Sequence, residues 1–152
     1  MRKIILLVFL PILFLSCEEE IYSTIPNAEV SIKLDLNFED MKLTAPYEYV
    51  SFTTPRKASD RLGYGGVLVA SGIGNSGVVL YAYDLACPVE ATKTVRVVPD
   101  NTGYCTCPKC GTKYNVAYGT GAPVSGGGKY FLRSYTVIDT GNNTYRVTNS
   151  KY

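Results

Sequence analysis

Five cysteines carry most of the reactive side-chain chemistry of this 152-residue chain. Cys17 stands alone near the amino terminus, whereas Cys87, Cys105, Cys107 and Cys110 follow one another closely. Thiolates bind zinc and iron, and pairs of thiols form disulfides in oxidising compartments. The sequence contains no histidine, which excludes Ser-His-Asp catalysis, Cys-His catalysis and metal sites that use imidazole. No other pair of base and nucleophile is recognisable, so we predict no catalytic residues.

The segment Cys107–Gly111, which reads Cys-Pro-Lys-Cys-Gly, has the spacing of a metal-binding knuckle. Two thiolates converge on one side of such a turn, and the glycine allows backbone amides to point at sulfur. Cys105 faces the same way as Cys107 if the chain between them is extended, and Cys87 belongs to a separate loop. Four thiolates could hold zinc or a 2Fe-2S cluster, but in an oxidising compartment they also form disulfides. We expect a disulfide or a metal-free site, with the cluster and zinc as alternatives.

Short strands must position these cysteines. Apolar and polar residues alternate over Val30–Leu36 and Tyr47–Phe52, which predicts half-buried strands, and the apolar run Val67–Ala70 lies between glycines. Gly72–Gly77 matches a dinucleotide-binding fingerprint, but β-branched residues follow it instead of a helix, so it predicts a hairpin turn. Further strands are predicted at 78–83, 94–98, 131–132, 135–138 and 145–148. Because no window of a dozen residues keeps helical periodicity, we predict an all-β fold, a small antiparallel sandwich or barrel of about six to ten strands.

The amino terminus has the layout of a secretion signal. Arg2 and Lys3 precede the apolar run Ile4–Leu15, and small Ser16 then precedes Cys17. Residues 13–17 resemble a bacterial lipobox, which implies cleavage before Cys17 and lipidation of its thiol. We therefore predict a signal peptide at 1–16, a lipidated and polar tether at 17–28 and a β domain at 29–152.

The charge pattern bears on location and partners. Three glutamates at 18–20 directly follow Cys17 and resemble the surface-export signal of Bacteroidetes lipoproteins, although a solvated tether explains them equally well. We predict a lipid-anchored protein of the outer membrane or cell surface. Without Arg2 and Lys3 the 15 basic residues fall to 13, which matches the 13 acidic ones. A neutral body gives no basis for nucleic-acid binding, so the expected partners are the membrane and another envelope protein.

Two cysteine-bearing segments resemble the cluster-binding loops of Rieske iron-sulfur proteins. They are Tyr83–Val89, reading Tyr-Asp-Leu-Ala-Cys-Pro-Val, and Cys107–Tyr114, reading Cys-Pro-Lys-Cys-Gly-Thr-Lys-Tyr. Seventeen residues separate Val89 from Cys107, which fits the family's Cys-x-His and Cys-x-x-His pattern. The glycine-rich segment Gly119–Leu132 resembles the family's return segment. The resemblance, closest to Rieske-like lipoproteins of Bacteroidetes, covers roughly Val67–Val137 and implies a Rieske-type β fold with a cysteine-bearing loop subdomain.

The resemblance also marks two departures at the ligand positions. Cys87 and Cys107 stand where the family has its two cysteine ligands, but Val89 replaces the first histidine and Cys110 replaces the second. A cluster with imidazole ligands is therefore impossible in this chain. The resemblance then implies a domain with a degenerate site and a structural or protein-interaction role. The alternatives are an electron carrier with a 2Fe-2S cluster on cysteines, including Cys105, and a structural zinc site.

Overall fold

The computed structural model describes residues 23–75 and 77–149, and it shows an all-β chain. The one helical element in these ranges is a 3-10 turn at Met41–Thr44. The strands are β1 (Val30–Asp35), β2 (Tyr49–Phe52), β3 (Arg61–Leu62), β4 (Val67–Gly74), β5 (Gly77–Asp84), β6 (Val98–Pro99), β7 (Tyr104–Thr106), β8 (Lys113–Asn115), β9 (Pro123–Ser125), β10 (Ser134–Gly141) and β11 (Thr144–Thr148). The predicted all-β class is confirmed. None of the described helical segments has the length and apolar character needed to span a membrane.

Seven strands form the larger antiparallel sheet in the order β2-β4-β5-β10-β11-β1-β3, which curves into a nearly closed barrel. Strand β1 shows why the alternation in the sequence matters. Val30, Ile32 and Leu34 are at most 2% exposed and face the core, while Lys33 between them is exposed. This period of two follows from the pleat of a strand, so the strand predicted from the pattern is confirmed.

Strands β4 and β5 form a long hairpin that is buried on both faces near its base. Val67 and Val69 pack into the barrel core, whereas Leu68 and Ala70 pack into a second core on the opposite face of the sheet. This explains the continuous apolar run in β4, because a strand covered on both sides needs no polar face. The hairpin predicted at Gly72–Gly77 is also confirmed, with Gly74 paired to Gly77.

The second core belongs to the cysteine-bearing subdomain. A small antiparallel sheet in the order β6-β7-β8-β9 carries it against the outer face of β4 and β5. The two parts meet very closely at Gly72, where a Cβ atom would stand 1.8 Å from the Ala117 carbonyl oxygen. Only glycine fits at this junction without moving the backbone.

Two predicted strands are wrong. Most of the segment predicted at 94–98 is irregular and contributes one isolated bridge, Ala86 to Arg96, before β6 begins at Val98. The segment predicted at 131–132 is a loop, in which the Leu132 amide bonds the Gly121 carbonyl at 2.9 Å. Both segments are apolar because Val97 and Leu132 fill the second core, and burial does not require strand pairing. The described residues also contain eleven strands, one more than the upper expectation.

Part of the amino-terminal prediction lies beyond what the structure describes. The predicted signal peptide, Cys17 and the three glutamates fall outside the described residues. Residues 23–28, the end of the predicted tether, do have described positions: Ile25 is buried, and the Thr24 hydroxyl donates a hydrogen bond to the Pro88 carbonyl. The Arg133 side chain donates to the Ile25 carbonyl at 2.9 Å. The chain therefore enters the domain alongside the first cysteine loop.

Candidate functional site

Asp84 positions the first cysteine loop. Its carboxylate is fully buried at the end of β5 and accepts hydrogen bonds from the Tyr64 amide at 2.8 Å, the Gly65 amide at 2.9 Å and the Ala86 amide at 2.7 Å. The Tyr135 hydroxyl donates a fourth bond at 2.6 Å. These four hydrogen bonds replace the ones that the carboxylate would make to water, and the bond from the Ala86 amide fixes the backbone immediately before Cys87.

Both cysteine loops are tight turns closed by a backbone hydrogen bond. In the first loop the Ala91 amide bonds the Cys87 carbonyl at 2.8 Å, and in the second the Gly111 amide bonds the Cys107 carbonyl at 3.0 Å. The Cys107 amide also bonds the Thr112 carbonyl at 2.9 Å, which anchors the second loop to the start of β8. The sequence Cys-Pro-Lys-Cys-Gly therefore forms a tight turn that is held at both ends by backbone hydrogen bonds.

Three thiols from these two loops meet. The Sγ atoms of Cys87, Cys107 and Cys110 all lie within 4.8 Å of one another, and the distance from Cys87 Sγ to Cys110 Sγ is 3.7 Å. Cys87 and Cys107 are buried, and Cys110 is partly exposed. The sulfurs are in contact without being bonded, since a disulfide requires about 2 Å between them. Cys87 and two cysteines at least twenty positions after it thus form one compact cluster of soft ligands.

Cys105 and Val89 do not join the cluster. Cys105 lies in β7, is fully buried and packs in the second core, outside the group of three thiols. Val89 is 42% exposed, so the position that the family resemblance gives to a histidine ligand presents an aliphatic side chain to solvent. The four cysteines expected together therefore divide into a cluster of three and a separate core thiol.

Burial and the surrounding polar groups shift the pKa values of Cys87 and Cys110 in opposite directions. Burial raises the pKa of Cys87 to about 11, even though backbone amides and the Tyr114 hydroxyl, 3.7 Å from its Sγ, favour the thiolate. Burial also acts to raise the pKa of Cys110, but hydrogen bonds with the Thr112 hydroxyl, 3.3 Å from its Sγ, with the Thr112 amide and with the neighbouring thiols together lower that pKa below its ordinary value. Burial raises the pKa of Cys105 as well. The Cys110 thiol therefore ionises more readily than the Cys87 thiol.

The residues present do not fit a Rieske cluster. That cluster places two imidazoles on one iron, and the chain contains no histidine. A 2Fe-2S cluster on cysteines alone needs four thiolates, whereas the described loops bring together three. The arrangement suits a single soft metal ion or a thiol pair, because three convergent thiolates leave one tetrahedral position for another ligand.

Reasoning from the sequence did not identify the groups that support the cluster. Asp84 and Tyr114 belong to the segments that resemble the family loops, but nothing in the pattern showed that Asp84 would be buried with four donors. The ion pair between Lys109 Nζ and the Glu90 carboxylate, which bridges the two loops, was also missed. Its signal was present: Lys109 and Glu90 carry opposite charges, and each follows a Cys-Pro pair by one or two residues.

The chain has similar solved structures but no match among family models or curated proteins. One similar solved structure is described as a complex of reduced oxygenase and oxidized ferredoxin in carbazole 1,9a-dioxygenase. It has a TM-score of 0.45 and 18% sequence identity over 72% of this chain and 87% of that chain. A second is a putative NADH-dependent nitrite reductase small subunit from Mycobacterium tuberculosis. It has a TM-score of 0.43 and 12% identity over 82% of this chain and 98% of that chain.

Proposed function

We propose that this protein is a lipid-anchored, extracytoplasmic protein of the cell envelope, in which a Rieske-like β domain has a structural or protein-interaction role. The observation that carries the proposal is the meeting of the Cys87 and Cys107–Cys110 loops at one place with no imidazole available. The loop geometry agrees with Rieske ancestry, and the missing histidines remove the chemistry for which that geometry is used. A domain that keeps the loops without this cluster is expected to serve as a scaffold.

The entry of the chain supports a location of the thiol cluster near the membrane. Thr24 is hydrogen-bonded to Pro88 in the first cysteine loop, and Thr24 follows the proposed lipidated Cys17 by seven positions. Seven extended residues span at most about 25 Å, so Thr24, which contacts the first cysteine loop, would lie within that distance of Cys17. The partner would then be another protein at the membrane surface rather than a freely diffusing one.

Iron content and visible absorbance of the purified full-length protein test the role of the domain. We expect a colourless protein without stoichiometric iron, whether it is purified with or without oxygen. Two irons per chain, with visible absorption that disappears on reduction, would overturn the structural role. Labelling cells with radioactive palmitate tests the anchor: wild type should incorporate label and partition into detergent, and Cys17→Ala should do neither. Incorporation by Cys17→Ala would overturn the anchoring at this residue.

The second candidate function is electron transfer by a cluster held on cysteines. The specific observation in its favour is the group of three thiols within 4.8 Å. It requires Cys105 to leave the second core and act as the fourth ligand, because a cluster without histidine needs four thiolates. Iron in the wild type that is lost in Cys105→Ala would support this candidate.

A further inference from the structure

The two cysteine loops are copies of one local structure. Each starts with Cys-Pro, at Cys87 and at Cys107, and each closes with the amide of the fifth residue bonded to the carbonyl of its first cysteine. The fifth residues, Ala91 and Gly111, both have positive φ, at 49° and 70°. The two backbones therefore correspond residue by residue, and Glu90 in the first loop occupies the position that Cys110 has in the second.

The thiol cluster has the dimensions of a tetrahedral metal site. A Zn–S distance of about 2.3 Å places the sulfurs of a tetrahedral site about 3.8 Å apart. The distance from Cys87 Sγ to Cys110 Sγ is 3.7 Å, and Cys107 Sγ lies within 4.8 Å of both. Little movement is needed for these three sulfurs to bind one ion. The site then lacks a fourth ligand.

Glu90, at the loop position that corresponds to Cys110, is the candidate for that ligand. Its side chain is 15% exposed, and its carboxylate reaches across to Lys109, which lies between Cys107 and Cys110 in the second loop. The carboxylate is bonded to Lys109 in this structure and is not within the group of three thiols. A carboxylate is an accepted zinc ligand, and release from the largely exposed Lys109 is the movement that binding requires.

We propose that the two loops form a zinc site with Cys87, Cys107 and Cys110 as three thiolate ligands and the Glu90 carboxylate as the fourth. The three thiols lose their protons to water when the ion binds, so one Zn²⁺ releases up to three protons. Three thiolates and a carboxylate around Zn²⁺ carry a net charge of −2, and the Lys109 ammonium lies beside them to offset it. This inference goes beyond the proposed structural role, since it names the ion that would hold the two loops together.

Cobalt titration of the reduced full-length protein tests the site, because Co²⁺ occupies tetrahedral thiolate sites and reports on them by absorbance. We expect one Co²⁺ per chain, with thiolate-to-cobalt charge transfer that Zn²⁺ removes. Glu90→Cys should raise the charge-transfer intensity in the ratio of four to three, because it completes a second Cys-x-x-Cys knuckle. Glu90→Gln should weaken Zn²⁺ binding at least about tenfold while leaving the three-thiolate spectrum in place.

Variants of the cysteines provide the matched controls. Cys87→Ser should reduce the charge-transfer intensity to two thirds or abolish binding, and Cys105→Ala should leave it unchanged, since that thiol lies outside the cluster. Circular dichroism confirms that each variant is folded, and Cys105→Val replaces Cys105→Ala if the smaller side chain does not fold. Absence of stoichiometric Co²⁺ and Zn²⁺ binding, or equal losses in the Cys87 and Cys105 variants, overturns the zinc site. An unchanged affinity in Glu90→Gln overturns the fourth ligand. Iron analysis of the same samples reports separately on the proposed function.

Discussion

The buried carboxylate of Asp84 offers a sharp test of how the cysteine loop is held. In Asp84→Asn one carboxylate oxygen becomes an amide NH₂ group. If it replaces Oδ2, it faces the Tyr64 amide and the Tyr135 hydroxyl, which donate to that oxygen at 2.8 Å and 2.6 Å. The Tyr135 hydroxyl can rotate and accept a hydrogen bond from the new NH₂ group, but the Tyr64 backbone amide can only donate and is left without an acceptor. If the side-chain amide is reversed, the Gly65 and Ala86 amides lose their acceptor at Oδ1 instead.

Either orientation therefore leaves at least one backbone donor unpaired and removes two charge-assisted bonds. An unpaired buried donor costs about 1 to 3 kcal/mol, and each bond to a charged group contributes about 1.5 to 3 kcal/mol. Because these contributions overlap, we expect Asp84→Asn to lower the free energy of unfolding by about 3 to 5 kcal/mol. Tyr135→Phe, which removes one bond, should cost about 1.5 to 3 kcal/mol.

Urea unfolding followed by circular dichroism measures both values. Reaction of the Cys87 thiol with a thiol reagent under native conditions adds a local measurement, since the Ala86 amide that Asp84 holds precedes Cys87. We expect faster modification in Asp84→Asn. The Tyr135→Phe and Asp84→Asn effects should be less than additive in the double variant, because the two residues share one hydrogen bond. A loss below about 1 kcal/mol in Asp84→Asn would refute the argument that this carboxylate organises the loop.

Three further predictions concern other buried groups. Tyr83→Phe should leave the free energy of unfolding unchanged or raise it by up to about 1 kcal/mol, because the buried Tyr83 hydroxyl has no hydrogen-bond partner among the described residues. A clear decrease in the free energy of unfolding, measured in urea, would contradict this. Arg56→Met should lower the free energy of unfolding by about 2 to 3 kcal/mol, because it leaves the fully buried Asp40 carboxylate without its ion-pair partner at 2.6 Å. Arg61→Met, which removes an exposed ion pair with Glu29, should lower it by less than about 1 kcal/mol. Equal urea midpoints for these two variants would refute the distinction. Burial raises the pKa of Tyr83 and that of Tyr135, and the Asp84 carboxylate raises the pKa of Tyr135 further. As the pH rises, the two phenols therefore lose their protons in the unfolded chain at a lower pH than in the folded protein. The stability from the neutral phenols should be complete below about pH 10 and fall as the pH rises above it, and a urea midpoint that stays constant from about pH 9 to about pH 11 would exclude this.

The long strands could be predicted from the sequence because each repeats a pattern over several residues. Val30, Ile32 and Leu34 alternate with polar neighbours, and the predicted strand agrees with β1. The strands of the small sheet have two or three residues each, too few for any alternation to be recognised. Val97 and Leu132 led to two strands being predicted where the structure has loops. Loop residues that fill a core are as apolar as the residues of a buried strand.

The candidate site was predictable in its residue types and only partly in its geometry. Knuckle spacing brought Cys107 and Cys110 together, and the family resemblance placed Cys87 beside them. The expectation for Cys105 depended on alternation along an extended chain, but Cys105 pairs with Tyr114 between β7 and β8, and its thiol lies outside the group of three. Tertiary packing decided its position, and a two-residue spacing carries no information about packing.

The junction at Gly72 bears on how the cysteine loops can change over time. The subdomain is seated on the hairpin by a close approach of two backbones, at Gly72 and Ala117, and neither residue is a cysteine. Substitutions among the sulfur-bearing positions therefore do not alter this backbone contact, although Cys87, Cys105 and Cys107 also pack in the second core. A lineage that keeps Gly72 can exchange one set of ligands for another while this close approach stays the same, provided that the replacements still fill the second core.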